Sequence, residues 1–408
     1  MQLDTKQNRP IQQATSWPFI RLYILAFIFF SANSILNVIM PIRIESIGGN
    51  NTMIGLIMGT YMLTCMFFRP WAGYLVNKYG PVKVLRVLLF INGLALLLYT
   101  ISGIEGFFIA RFMQGICTAF FSMTLQITII DTLSDNERSQ GVSLYSLSTY
   151  MPSIVGPLMA FGIWQWGGMN AFTVSMIVMV VITSWFGYRT SMTHVSQEKQ
   201  EQVSNESSKS QRLLIRQIIT HTPFVVCSLL MLITSVVFGA VTVFIPLYAN
   251  QVEYGNAGIY LMIQASVIVL SRFLLRKYIP SDGNWNFRFI FVTLLLAALA
   301  ALLLSLSEEQ GPFFLYSAAL LMGIAQALLY PTLLTYLTFV LPNSSRNLLL
   351  GLFVAFADLG ISLGGVAMGP IADQLSYSAV YLICTGLIIV ASILAIHYQI
   401  RLKIFQKN

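Results

Sequence analysis

Asp358 lies about ten residues into an apolar run, with Gly351, Gly360, Gly364 and Gly365 around it. It is the one acid near the middle of any such run. A charge at membrane depth costs roughly 2.5–3.5 kcal/mol on insertion scales. A carboxylate there either takes up and releases protons or sits as a structural acid where glycines let helix backbones approach. Arg111 is the matching cation, with Gln114 and Thr118 following at three and seven residues on the same helical face. That stripe offers a guanidinium and an amide to a carboxylate, or orders water and neighbouring helices. Asn33 with Asn37, and Gln326 with Tyr330, share faces at four-residue spacing. Tyr145, Tyr150, Gln126 and Gln264 add polar groups at depth. Each alone reads as glue between helices; together they allow a polar, aromatic-lined central cavity. Arg69 and Arg272 stand near the ends of their runs. Arg69 reads as snorkelling to the headgroups; Arg272 either does the same or lines the cavity mouth.

The elements that hold these residues follow from composition. Of 408 residues, 56% are hydrophobic and 9% charged, with a mean hydropathy of +0.75. Soluble chains carry about 25% charged residues, so this chain has no polar skin and an ordinary soluble enzyme is excluded. A bilayer-spanning helix needs roughly 20 mostly apolar residues. Twelve runs qualify, near residues 19–40, 53–75, 84–103, 106–131, 141–163, 170–188, 223–249, 256–275, 287–306, 312–341, 348–370 and 379–399. No cleavable signal precedes the first. The expected class is all-α, with 12 transmembrane helices.

Lysine and arginine set the expected orientation. With a cytoplasmic N-terminus, nineteen of the 23 bases fall on the cytoplasmic side and only Arg43 outside; Arg69, Arg111 and Arg272 lie within runs. Both termini are then cytoplasmic. The net charge of +8 is spread thinly along the chain, so no nucleic-acid partner is expected.

Residues 189–222 are largely polar, serine-rich and of mixed charge, as suits a linker. The division is a segment 1–18, a six-helix unit 19–188, the linker, a second unit 223–399 and a tail 400–408. The halves echo each other. Arg69 precedes Gly80 by 11 residues, as Arg272 precedes Gly283. Gly115 precedes Arg138 by 23, as Gly323 precedes Arg346. A duplicated six-helix unit places a solute site near the bilayer midplane, between halves that rock.

The stretch Gly73-Tyr74-Leu75-Val76-Asn77-Lys78-Tyr79-Gly80, with Lys83, resembles the loop 2–3 motif G-x-L-x-D-R-x-G-R-K of the major facilitator superfamily. Asn77 replaces the aspartate and Pro81 an arginine. Arg111 to Gly115 matches R-x-x-Q-G of span 4, and Asp131 with Glu137 to Gly141 resembles the loop that follows. Gly156-Pro157 in span 5 is a remnant of the antiporter motif, without its full glycine ladder. The resemblance implies two pseudo-symmetric bundles and alternating access. It also implies proton or substrate handling by Arg111, and a latch made by Gly73, Lys78, Lys83, Asp131 and Arg138 that Asn77 weakens. Gly73 is expected to permit close packing of span 2.

Trp17 to Tyr23, Phe68 to Gly73 and Gly141 to Ser146 also look similar to staphylopine-type exporters, the firmicute exporters of opine-type metallophores. That likeness implies proton antiport of a small carboxylate-bearing zwitterion or anion, by a monomer in the bacterial plasma membrane. Asp358 and Arg111 would couple protons. Arg111, Gln114, Asn33, Asn37, Tyr145, Tyr150, Gln264, Arg272, Gln326, Tyr330 and Asp358 would meet substrate.

Other classes stay open beside it: a broad-range drug exporter using Asp358, a proton-coupled importer, and a membrane scaffold with no transport cycle. The N-half offers Arg111 and no mid-span acid, which favours anionic or zwitterionic solutes over lipophilic cations. His194, His221 and His397 are terminal or in loops, and Cys65, Cys117, Cys227 and Cys384 have no metal-type spacing. No phosphate-binding loop exists. No cofactor, metal site or enzyme chemistry is expected.

Overall fold

In hydrocarbon every backbone N–H and C=O must be satisfied within its own segment, so apolar runs fold as helices. The computed structural model describes residues 13–101, 103–133, 135–189, 221–275, 278–280, 283–342 and 346–405. Most of the expected linker and parts of both terminal segments lie outside them. The side chains of Asn77 and Asp131 also lie outside the described set.

The helices are α1 (Trp17–Ser46), α2 (Asn51–Tyr79), α3 (Pro81–Ile101) and α4 (Ile104–Thr132). The next segment, Asp135–Tyr188, breaks at Gly168 (φ 52°, ψ −130°) into α5 (135–167) and α6 (169–188). Then follow α7 (Thr222–Gln251), α8 (Ala257–Leu274), α9 (Phe287–Gln310), α10 (Pro312–Val340), α11 (Arg346–Gln374) and α12 (Tyr377–Phe405). Among the described residues, 11 continuous helical stretches are long and apolar enough to cross a membrane. The longest of them holds both α5 and α6, which matches the twelve expected spans. Several helices outrun their apolar runs by a turn or more. Helical hydrogen bonding continues into the interface, where polar side chains are tolerated but hydropathy no longer marks the helix.

The duplication is visible in atomic contacts. Numbering shifts of 203 (α2 to α8) and 208 (α4 to α10, α5 to α11) relate matching residues of the halves. Gly115 of α4 lies so close to α2 that a Cβ would meet Tyr61 O at 2.5 Å and Thr64 Cβ at 2.8 Å. Gly323 of α10 lies against the equivalent residues of α8, Gln264 O at 2.8 Å and Val267 Cβ at 2.9 Å. Tyr61 Oη donates to Thr118 Oγ1 (3.1 Å), and Gln264 Nε2 donates to Gln326 Oε1 (3.1 Å). Gly80 and Gly283 both have positive φ (84° and 74°), which explains glycine at the end of each repeat.

The halves meet along α2 with α11, α5 with α8 and α1 with α7. One face of the bundle carries the start of α1 and the end of α12, and is the termini face; the other is the far face. Toward the far face, α2 and α11 touch through backbone. A Cβ on Gly55 would strike the Gly365 carbonyl, and one on Gly369 would lie 2.6 Å from Asn51 O. Ser362 Oγ donates to Gly59 O (2.9 Å). At the rim, Asp373 on α11 accepts from Asn51 N (2.8 Å), Thr52 N (2.9 Å) and Thr52 Oγ1 (2.6 Å), capping α2 from the opposite half. Tyr377 Oη donates to Asn51 Oδ1 (2.6 Å).

Two expectations about glycines change. Nothing lies within 4 Å of a Cβ on Gly73 or Gly351. The close packing expected of Gly73 is absent because the halves touch toward the far face, and Gly73 lies at the other end of α2. Gly360, Gly364 and Gly365 do make close backbone approaches, to α7 and α2.

Candidate functional site

Two arginines cross between the halves, one from α2 to α11 and one from α8 to α5. Arg69 Nη2 of α2 lies 2.9 Å from Asp358 Oδ2 of α11, a salt bridge from one half to the other. The side chains are 35% and 11% exposed, so the pair faces open space on one side. Asp358 Oδ2 has no aligned hydrogen-bond donor, so charge rather than directed hydrogen bonding holds the contact. Arg69 Nη2 also donates to Cys65 Sγ (3.5 Å) one turn back. The snorkelling expected of Arg69 is therefore replaced by a cross-half ion pair: a carboxylate within reach outcompetes the distant headgroups.

The second crossing runs the other way. Arg272 of α8 places its guanidinium 4.4 Å from the ring centroid of Tyr150 on α5. Its Nε is buried without a hydrogen-bond partner. Tyr330 on α10 lies in electrostatic reach of Tyr150, Arg69, Asp358 and Arg272. Tyr145, in reach of Arg69 and Tyr150, donates its hydroxyl to Ser122 O (3.4 Å). These six side chains form one charged and aromatic cluster between the halves.

Arg111 is elsewhere. It is 0% exposed, inside the N-terminal bundle. Nη1 donates to Asn33 Oδ1 (3.3 Å) and Gln114 Oε1 (3.4 Å), and Nη2 to Leu36 O (3.1 Å) and Met58 Sδ (3.1 Å). The rings of Tyr61 and Tyr99 flank the guanidinium, with centroids at 5.6 and 5.9 Å. Asn33 in turn donates to Tyr61 Oη (2.8 Å), and Tyr99 Oη donates to Gln114 Oε1 (3.0 Å). Arg111, Asn33 and Gln114 thus form a closed network, with no open surface toward a solute in this state. Asn37 is half-buried one turn along α1. Gln264 and Gln326 pair with each other.

Of the loop motif, Lys78 rests over the rings of Tyr74 and Tyr79 (5.9 and 5.4 Å), and Lys83 is exposed. Arg138 is half-buried near the start of α5. Gly156, beside Pro157, abuts Ser34 of α1, where a Cβ would clash. The spacing of single motifs hid the Arg69–Asp358 pair. The repeat contained the signal: Tyr150 follows Arg138, and Asp358 follows Arg346, by the same twelve residues. Asp373 had no sequence signal, because its partner is the backbone of a helix more than 300 residues away.

A profile of the Major Facilitator Superfamily matches residues 22–307 and 285–403. The chain belongs to the Major Facilitator Superfamily. It is therefore a membrane transport protein and not an enzyme. It is 47% identical over 388 residues to the staphylopine export protein of Staphylococcus aureus (strain Mu50 / ATCC 700699), spanning 94% of this chain and 96% of that relative. It is 19% identical to the uncharacterized MFS-type transporter YhhS of Escherichia coli (strain K12), over 92% of both chains. Among solved structures, a point mutant of the nucleoside transporter NupG superposes with a TM-score of 0.77 at 13% identity, over 93% of this chain and 98% of that one. A bacterial homolog of the human lysosomal transporter Spinster superposes at 0.72, also 13% identical, over 94% and 96%. At that identity the likeness concerns the superfamily fold alone.

Proposed function

We propose that the chain exports a small carboxylate-bearing zwitterion or anion, of the opine-metallophore class, by alternating access with protons moving inward. The observation that carries this is the Arg69–Asp358 pair. It ties one half to the other through the single mid-depth acid, at the level where rocking halves must part. Protonation of Asp358 removes its charge and releases Arg69. In the state open to the outside, a proton taken up by Asp358 keeps the pair apart, and its release on the inside lets the pair form again. The solute class follows the relative named for staphylopine export, 47% identical across both halves.

Sidedness follows the lysines and arginines: the termini face is cytoplasmic in the cell membrane. The far-face contacts of Gly55, Ser362 and Asp373 then close the outside, and the state is inward-facing. The Gly73–Lys83 segment, with Asp131 and Arg138, latches the opposite state, when the cytoplasmic ends come together. Arg111 serves this cycle by holding α1, α2, α3 and α4 as one rigid body.

The test is chemical. Small molecules extracted from a deletion strain should contain an accumulated opine with carboxylates, restored to the medium by the wild-type gene and not by Asp358→Asn. Accumulation of lipophilic cations with no opine would favour a drug exporter instead.

A further inference from the structure

The duplication is broken at one chemical point. Arg69 and Arg272 occupy matching positions, and so do Tyr150 and Asp358, by the same numbering shifts of 203 and 208. Each arginine crosses to the same level of the opposite half. Arg69 finds a carboxylate at 2.9 Å; Arg272 finds the face of a tyrosine ring at 4.4 Å. One guanidinium is neutralised by the protein. The other has no anion among the described residues, and the Nε of both arginines is buried and unpaired. A ring face attracts a cation but leaves the in-plane N–H donors of the guanidinium edge unused. A part-buried cation so placed lacks an acceptor that is planar, anionic and bidentate.

We infer that Arg272, backed by Tyr150, is the receptor for a carboxylate of the transported solute, a step that rests on the export reading above. The solute supplies at Arg272 the anion that Asp358 supplies at Arg69. The guanidinium fork fits a carboxylate edge-on, while Tyr150 holds it from the face and Tyr330 lies in electrostatic reach of both arginines. An ester or amide offers no charge to Arg272 and is rejected.

The test is equilibrium binding of a radiolabelled opine, and of its methyl ester, to the purified full chain in detergent. Wild-type protein should bind the acid and not the ester. Arg272→Gln should weaken binding by about tenfold or more, as expected for a lost hydrogen bond between charged groups, and Arg272→Lys by less. Tyr150→Asp is the sharper variant. It rebuilds on this side the ion pair of the other, so it should abolish binding while leaving the melting temperature unchanged or higher. It remains decisive if Arg272→Gln fails to fold. Wild-type binding with unaltered affinity in Tyr150→Asp and Arg272→Gln would overturn the assignment and leave export standing. No binding of the acid by wild-type protein would overturn both.

Discussion

Arg69 on α2 and Asp358 on α11 meet at 2.9 Å across the boundary between the two six-helix halves. Each residue belongs to a different copy of the repeat, so neither copy can satisfy it alone. Removing one partner strands the other at depth. Complete burial would cost about 3–5 kcal/mol, and the partial exposure of Arg69 lowers this to about 1–3 kcal/mol. Asp358→Asn should therefore destabilise the protein by that amount in denaturant unfolding. The double variant with Arg69→Gln should lose less than the sum of the singles, by about 0.5–2 kcal/mol. Strict additivity would mean that the two do not interact.

The far-face rim gives a second expectation. Asp373 caps the first turn of α2 through Asn51 N, Thr52 N and Thr52 Oγ1. Loss of a cap costs about 1–2 kcal/mol, a factor of about 5–30 in the ratio of states. Asp373→Ala should therefore open this face, read as faster alkylation of a cysteine placed at Ser362. An unchanged rate would show that backbone packing alone holds the rim.

Glycine positions separate packing from motif. Gly55→Ala drives a methyl into the Gly365 carbonyl, so it should part α2 and α11 at the far face and lower thermal stability. Gly73→Ala meets empty space and gains helix propensity, so stability should hold or rise by about 0.5–1 kcal/mol. Transport by Gly73→Ala should nevertheless fall, because the state in which the helix ends at the termini face close needs that space. Melting curves beside flux measurements check the pair.

Arg111 donates to four acceptors at once. Arg111→Ala leaves Asn33 Oδ1 and Leu36 O without their donor in a buried site. It should cost about 2–4 kcal/mol of stability by denaturant unfolding. Arg111→Lys retains the charge but not the fork, and should recover less than half. Full recovery by lysine would show that charge alone matters there.

The fold lay close to the surface of the sequence. Span length follows from bilayer thickness, and an apolar run of that length is a local quantity. The break at Gly168 was legible too, as the gap between runs 141–163 and 170–188. The cluster between the halves was half legible. Asp358 and Arg111 stood out because charge in an apolar run is rare, yet they do not meet. Partner choice depends on which helices cross and at what height. Only the repeat carries that information, through the equivalence of Tyr150 with Asp358. Asp373 was illegible, since a carboxylate at a helix end looks like any interfacial acid.

The most direct measurement is flux of a radiolabelled opine into inside-out membrane vesicles, with an imposed proton gradient acid inside. Wild-type protein should accumulate the opine in the lumen and collapse the gradient as it does so, while Asp358→Asn should do neither. Accumulation by Asp358→Asn at the wild-type rate, or wild-type flux indifferent to the gradient, would contradict the account.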